Sequence, residues 1–290
     1  MSHKTKVWTA LWTVYIIWGS TYLAIAVTIE TLPTMLAVST RFILAGLILA
    51  AIVRRRGASL RITRRHLASC VLIGCLLPGA NAVLFFAEAS VPTGLASLLI
   101  ASVPLWVMLM RLVAGEHLRT TTLVGVGIGF AGVAVLLRPG GGATWTGIVL
   151  CLVSAVMWSF GTFASARLPL PQNSFVATSY EMLSGGLVML PIGLATAHSF
   201  SPSTKSLVAF AYLVTFGSVI GYTAYTWLLA NAPLTTVSTY AYVNPVVAIL
   251  LGILFRGEQL TAQILLGAAI VVGAVAVVVR QEPPAAPQPE

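Results

Sequence analysis

The sequence predicts an all-α membrane protein of ten transmembrane helices, arranged as a 5+5 inverted-topology repeat. Three observations predict it: a chain as apolar as lipid, ten apolar runs of spanning length, and an internal repeat with an odd number of runs in each half.

Composition sets the class. Of the 290 residues, 58% are hydrophobic and 8% charged, and the mean hydropathy is +0.96, whereas a soluble domain carries about 25% charged residues. Asp is absent, so the net charge of +9 rests on 16 Lys and Arg against seven Glu. Those basic residues gather at the ends of apolar runs, as membrane topology requires, so nucleic acid is not an expected partner. Cys70, Cys75 and Cys151 lie inside apolar runs and give no disulfide framework, and His3, His66, His117 and His198 stand singly near run ends. No metal site, hydrolase motif or cofactor is indicated.

Crossing about 30 Å of hydrocarbon takes about 20 helical residues. The runs that meet this, cut at Pro, Gly and charge, cover about 7–27, 33–53, 66–87, 93–113, 120–138, 144–166, 173–197, 205–229, 234–255 and 260–280. The first holds an Ala24-x-Ala26 that resembles a signal-peptidase site, but its apolar stretch exceeds a signal sequence's core and reads as a helix. In the fifth, Gly127-x-Gly129-x-x-Gly132 spells a dinucleotide fingerprint inside one continuous apolar run, where small residues for close helix packing explain it better. Gly125-x3-Gly129 there and Ala269-x3-Gly273 in the tenth serve either internal packing or homodimerisation, so the chain is read as monomer or homodimer.

With an internal N-terminus, twelve basic residues fall inside (Lys4, Lys6, Arg54, Arg55, Arg56, Arg61, Arg64, Arg65, Arg111, Arg119, Arg167, Arg280) and three outside (Arg138, Lys205, Arg256). This bias places both termini in the cytoplasm. The Pro-rich residues 281–290 read as a disordered cytoplasmic tail.

Shifted by 140, residues 35–46 fall on 175–186 and Trp18 on Trp158. At 141, residues 89–97 fall on 230–238 and Pro104 on Pro245, and at 142 "GEHL" (115–118) meets "GEQL" (257–260). So small a drift indicates duplication. Five runs per half force the second half in from the opposite face, which puts a pseudo-two-fold axis in the membrane plane and a site near the midplane. The expected organisation is residues 1–6 cytoplasmic, 7–138 and 144–280 the two repeats, and 139–143 an external linker.

Several blocks carry a family likeness: "VYIIWGSTYLAI" (14–25), "RFILAG" (41–46), "AEASVPTG" (87–94), "MWSFGT" (157–162), "EMLSGG" (181–186), "FGSVIGYTAY" (216–225) and "TYAYVNPVVAILLG" (239–252) followed by "GEQL". In order and across both halves, they resemble the EamA-type transporters of the drug/metabolite transporter superfamily, nearest its bacterial inner-membrane members. The resemblance implies ten helices around a central cavity, with the fifth and tenth peripheral, a multi-pass protein of the inner membrane, and export of small metabolites.

Candidate site residues follow from charge at depth. A charge at a helix centre costs about 2.5 to 3.5 kcal/mol, and such groups face a cavity or a partner. Arg41 and Glu181 are the deepest and are repeat mates. Each lies eight residues into its helix from opposite faces, about 12 Å at about 1.5 Å per residue, which leaves about 6 Å between their levels in a core of about 30 Å. Two readings stay open: a buried ion pair locking two helices, or a substrate site in which Arg41 holds an anionic group and Glu181 an amine or the coupling proton. Glu181 is the proton candidate because a carboxyl can exchange its proton while a guanidinium stays charged.

Trp18 and Trp158 are mates whose rings could stack on an aromatic or cationic ligand or simply pack helices. Ser154, Trp158, Thr162 and Ser165 form a semi-polar stripe. Thr236, Tyr240 and Asn244 share one face beside Pro245, where Asn244 either binds substrate or satisfies backbone freed by the proline. Tyr222 and Tyr225, with Asn81 as the mate of Tyr222, add hydroxyl and amide groups. Glu30, Glu88, Glu116 and Glu258 lie at run ends, where solvation or capping is the default; Glu88, beside "SVPTG", is the candidate external gate. The expected function is secondary-active, alternating-access transport of a small-molecule substrate across the bilayer, driven by protons or by the substrate gradient, without an ATP-hydrolysing P-loop. The competing reading is a catalytically silent receptor or scaffold on the same fold; an enzyme lacks a nucleophile, base or metal set.

Overall fold

The computed structural model describes residues 2–137, 142–197, 201–237 and 239–280. Arg138, His198, the linker residues 139–141 and the tail 281–290 lie outside the described residues. Every regular element among those described is helical: α1 (His3–Thr28), α2 (Thr34–Arg55), α3 (Arg64–Ala87), α4 (Thr93–Ile100), α5 (Val103–Val113), α6 (Thr120–Leu136), α7 (Trp145–Ser165), α8 (Ser174–Thr196), α9 (Thr204–Tyr212), a π-helical segment (Leu213–Ile220), α10 (Gly221–Asn231), α11 (Leu234–Val237), α12 (Tyr240–Arg256) and α13 (Ala262–Arg280).

Seven stretches are long and apolar enough to cross a membrane: α1, α2, α3, α4 with α5, α7, α8, and the run from Thr204 to Leu228. Three shorter apolar helices, α6, α12 and α13, accompany them. Large apolar side chains such as Trp8, Trp12, Leu47, Leu187, Leu254 and Phe255 point away from the fold, as they can where the surroundings are hydrocarbon rather than water.

Local chemistry sets the helix starts. Ser2, Thr63, Thr144, Asn173 and Ser203 accept a hydrogen bond from a backbone N–H one turn in, satisfying donors that a helix N-terminus leaves free. The run expected over 93–113 breaks between α4 and α5 at Ala101 and Ser102, where Pro104 has no N–H to continue the ladder. The run expected over 205–229 is interrupted by the π-helical segment, a wider turn that frequently marks function.

Close helix contacts use small residues in reciprocal fashion. A Cβ on Gly46 of α2 would sit 2.7 Å from the Leu183 side chain and 3.0 Å from the Ser179 carbonyl of α8, and one on Gly186 of α8 would sit 2.8 Å from Ile43 and 2.9 Å from the Ser39 carbonyl of α2. Ser179 also donates to the Gly46 carbonyl at 2.9 Å. On the periphery α6 packs on α13, with Gly125 against Val278, Gly132 against Ile270 and Gly267 against Leu136. The glycines of the dinucleotide-like fingerprint therefore lie within a helix, and Gly129 and Gly132 make room for Leu105 and Ile270.

Candidate functional site

The π-helical segment organises the centre of the molecule. Its Gly217 carbonyl accepts from the Trp18 indole N–H at 3.2 Å, and its Ser218 hydroxyl accepts from Arg41 Nε at 2.8 Å. Gly217 and Gly221 leave room for these side chains: a Cβ would lie 3.1 Å from Arg41 Nη2 at the first and 2.6 Å from Trp18 Nε1 at the second.

Around Trp18 the aromatic side chains expected from sequence come together. Its ring centroid lies 5.7 Å from Trp158, 5.6 Å from Tyr222, 4.8 Å from Tyr225 and 5.4 Å from Tyr240. Trp158 also meets Tyr222 at 5.9 Å, and Tyr225 meets Tyr240 at 5.7 Å. Most of these pairs meet edge to face, the arrangement the ring quadrupole favours. The rings come from α1, α7, α10 and α12, so one cluster joins the early and late parts of the chain.

Arg41 is 2% exposed in the interior of α2. Its guanidinium carbon lies 5.0 Å from the Phe42 ring centroid and 5.7 Å from that of Phe85. Nη1 is buried without a hydrogen-bond partner. No ion pair joins Arg41 to Glu181; instead the Tyr222 hydroxyl, itself buried and unpartnered, stands within electrostatic range of both. Glu181 is 5% exposed on α8. Asn244 is buried, with its amide oxygen unpartnered.

The stripe on α7 resolves differently from its pattern. Ser154 donates to the Ala80 carbonyl of α3, Thr162 to the Trp158 carbonyl and Ser165 to the Gly161 carbonyl. Ser154 and Ser165 are occupied by backbone, while Thr162 also hydrogen-bonds the Tyr225 side chain, so Trp158 and Thr162 are the stripe's contribution to the cluster.

At the chain's charged ends the glutamates diverge. Glu30 bridges Lys205 at 3.3 Å and Arg256 at 2.8 Å. Burial works against ionisation of Glu30, but the hydrogen bonds from Arg256 and Lys205 together outweigh it and hold the carboxyl below its usual range. Glu258 accepts from Thr93 N and Oγ1, each at 2.7 Å, and from Gly94 N at 3.0 Å, so it caps α4 from across the fold. Glu116 pairs with Arg111 at 2.6 Å and with Arg167. Glu88, the C-cap of α3, is buried with both carboxyl oxygens unpartnered. Sequence reasoning missed Ser218, Gly217 and the cross-chain role of Glu258; a serine in an apolar run gives no sign that a distant arginine needs it.

A groove of about 490 Å³ lies between α1, α2, α8, the π-helical segment and α10, lined by Lys6, Thr9, Thr13, Arg56, Thr223 and Trp227 among others and by none of the clustered rings.

Comparison with known proteins gives the family. The EamA-like transporter family matches residues 7–138 and again 145–280. The chain belongs to that family. It is 37% identical over 276 residues, 93% of this chain and 89% of the other, to the uncharacterized inner membrane transporter YedA of Escherichia coli K12. It is 28% identical over 285 residues, 97% and 95% of the two chains, to a probable terminal-alkyne amino-acid exporter of Streptantibioticus cattleyicolor. A crystal structure of a protein 22% identical superposes with a TM-score of 0.69 over 95% of this chain and 96% of its own, a likeness of fold. The chain is therefore a multi-pass membrane protein of the EamA transporter type.

Proposed function

We propose that the chain is a secondary-active exporter of small metabolites, amino acids or similar compounds, working by alternating access of two inverted five-helix halves in the inner membrane with both termini cytoplasmic. The observation that carries this reading is the meeting of the repeat mates Trp18 and Trp158 at 5.7 Å, beside Arg41 and Glu181 with no ion pair between them. Mates that touch lie on the axis relating their halves, and an inverted repeat puts its site there.

Three reciprocal contacts support the repeat. Gly46 against Ser179 and Leu183 mirrors Gly186 against Ser39 and Ile43 at an offset of 140. Gly125 against Val278 mirrors Gly267 against Leu136 at 142. Gly19 beside the Asn244 carbonyl mirrors Ser159, which donates to the Val103 carbonyl at 3.1 Å. The domain division at 7–138 and 144–280 follows this symmetry.

In this reading Trp18, Trp158, Tyr222, Tyr225 and Tyr240 form an aromatic cage that closes on itself when empty and opens around a cationic or zwitterionic ligand. Arg41 Nη1 takes an anionic group, Glu181 an amine or the coupling proton, and Asn244 a polar group. The groove beside Lys6 and Arg56 is the cytoplasmic approach. Glu30 with Arg256 and Lys205, and Glu258 on α4, hold the external end shut, with Glu88 as its gate. Export and an amino-acid-like substrate are favoured by the name of the Streptantibioticus relative.

Counterflow into proteoliposomes, over a panel of amino acids, sugars and cationic drugs, tests the reading. Uptake of at least one compound, lost in Trp18→Ala, is expected. No counterflow across the panel, with capture of a partner chain instead, would establish the scaffold reading.

A further inference from the structure

We propose that the groove between α1, α2 and α10 seats one anionic phospholipid, with its phosphate held by Lys6 and Arg56 and an acyl chain laid along the apolar floor. The proposal goes beyond the transporter reading and shares with it the groove alone. There the groove is the cytoplasmic approach, and a lipid seated in it stands in that approach until it leaves.

The walls grade from polar to apolar. On α1 the lining runs from Lys6 through Thr9 and Ala10 to Thr13, on α2 from Arg56 through Ile52 to Leu49, and on α10 and the π-helical segment from Trp227 through Ala224 and Thr223 to Ile220 and Val219. Each wall covers about 10 to 12 Å of depth at about 1.5 Å per residue. Lys6, Arg56 and Trp227 share one end of the molecule, where α1 begins and α2 and α10 end, and His3 Nε2 meets the Asn231 carbonyl there at 3.1 Å. Two long basic side chains and a tryptophan above aliphatic ones reproduce the passage from headgroup to hydrocarbon in one leaflet. Thr9 and Ile220 are exposed along the groove, so a lipid enters it sideways.

Charge selects the headgroup. Lys6 and Arg56 are exposed, and among the described residues neither is in an ion pair and no acid lines the groove. The Phe175 ring centroid lies 5.4 Å from the Arg56 guanidinium carbon and steadies it over the groove. Cations without a counter-ion favour a net negative head, because a zwitterionic one brings its own cation to the same place. Thr223 supplies a further contact. The Thr9 and Thr13 hydroxyls donate to the Thr5 and Thr9 carbonyls, whereas that of Thr223 is buried without a partner. It stands one turn deeper than Trp227, at the level of the ester carbonyls below a lipid phosphate, which accept a hydroxyl. At the deep end, Val219 and Ile220 follow Gly217 and Ser218, which hold Trp18 and Arg41, so the acyl chain backs the segment on which the central cluster is built.

Native mass spectrometry of the full-length protein, released from detergent containing equimolar dioleoyl-phosphatidylglycerol and dioleoyl-phosphatidylcholine, tests the site. One phosphatidylglycerol per chain is expected to stay bound, with a preference of about tenfold or more from two basic contacts. Lys6→Gln with Arg56→Gln is expected to remove that preference. Arg61→Gln with Arg65→Gln, an equal loss of charge at exposed positions outside the groove, is expected to leave it. Thr9→Trp, which fills the groove from an exposed position without altering charge, is expected to lose the bound lipid. Equal retention of the two lipids, an unchanged preference in the Lys6 and Arg56 variant, or lipid retained in Thr9→Trp would overturn the proposal. The same loss in the Arg61 and Arg65 variant would overturn it by assigning the lipid to the basic surface at large, and displacement by millimolar inorganic phosphate would do so by making the site one for a free anion. Every substituted side chain is exposed, so the variants are expected to fold. No readout involves transport, so a failed counterflow assay leaves the lipid site standing, and an absent lipid leaves the transporter reading standing.

Discussion

At the residue scale, Arg41 shows how a charge survives in an apolar helix without an opposite charge in contact. Its depth costs about 2.5 to 3.5 kcal/mol. One hydrogen bond to Ser218 and two rings, Phe42 and Phe85, offset that, at about 1.5 to 3 kcal/mol for the charge-assisted bond and about 0.5 to 2 kcal/mol for each ring. The gains total about 2.5 to 7 kcal/mol, enough to offset that cost without a contacting counter-ion, and they leave the buried Nη1 without a partner. Arg41→Met, of similar volume, should leave the melting temperature within a few degrees of wild type while lowering counterflow of the transported compound at least tenfold. A melting temperature that collapses while transport persists would make Arg41 structural. Its depth was legible in sequence from charge alone; Ser218 as its partner was not, because the two lie 177 residues apart.

At the element scale, helix contacts divide into those fixed by small residues and those fixed by charge. At Gly46 and Gly186 a methyl would strike backbone atoms of the facing helix, which cannot swing aside as a side-chain tip can. Gly46→Ala or Gly186→Ala should each cost about 1 to 3 kcal/mol by overpacking, read as an earlier thermal transition in detergent; no change would mean that α2 and α8 separate readily. The Glu30 bridge is weaker. Its carboxyl is 37% exposed, and such pairs contribute about 0 to 1 kcal/mol. Because the folded carboxyl is held below its usual range, the contribution is full above the unfolded value of about 4.3 and is lost as pH falls through the folded one. Glu30→Gln should flatten the acid side of the stability curve by that small amount, and an identical curve would remove the bridge from the proposed external closure. Seven spanning stretches, three shorter apolar helices and most of their ends were readable from apolar runs cut at Pro, Gly and charge. The break before Val103 and the π-helical turn were not, because each comes from a single proline or a tertiary hydrogen bond that periodicity does not register.

At the scale of the whole molecule, sequence symmetry and structural asymmetry point to motion. Trp18 and Trp158 are repeat mates in sequence, yet the Trp18 ring meets four rings and its N–H the Gly217 carbonyl, while the Trp158 ring meets two and its side chain hydrogen-bonds Tyr240. On the proposed alternating-access reading the opposite-facing state exchanges the roles of the halves, which assigns the cluster centred on Trp18 to this state and its mirror to the other. Two extra ring contacts favour this state by about 1 to 3 kcal/mol. Removing them with Trp18→Ala should therefore shift the population toward external opening by about tenfold, since about 1.4 kcal/mol is a factor of ten, and Trp158→Ala should shift it the other way. Val91, packed against Gly147 and 5% exposed here, lies at the end that the proposed topology makes external: with Cys70, Cys75 and Cys151 replaced, Val91→Cys should react with a membrane-impermeant thiol reagent faster beside Trp18→Ala and slower beside Trp158→Ala. Equal rates in the two backgrounds would mean that the aromatic cluster packs helices in both states alike and takes no part in the exchange.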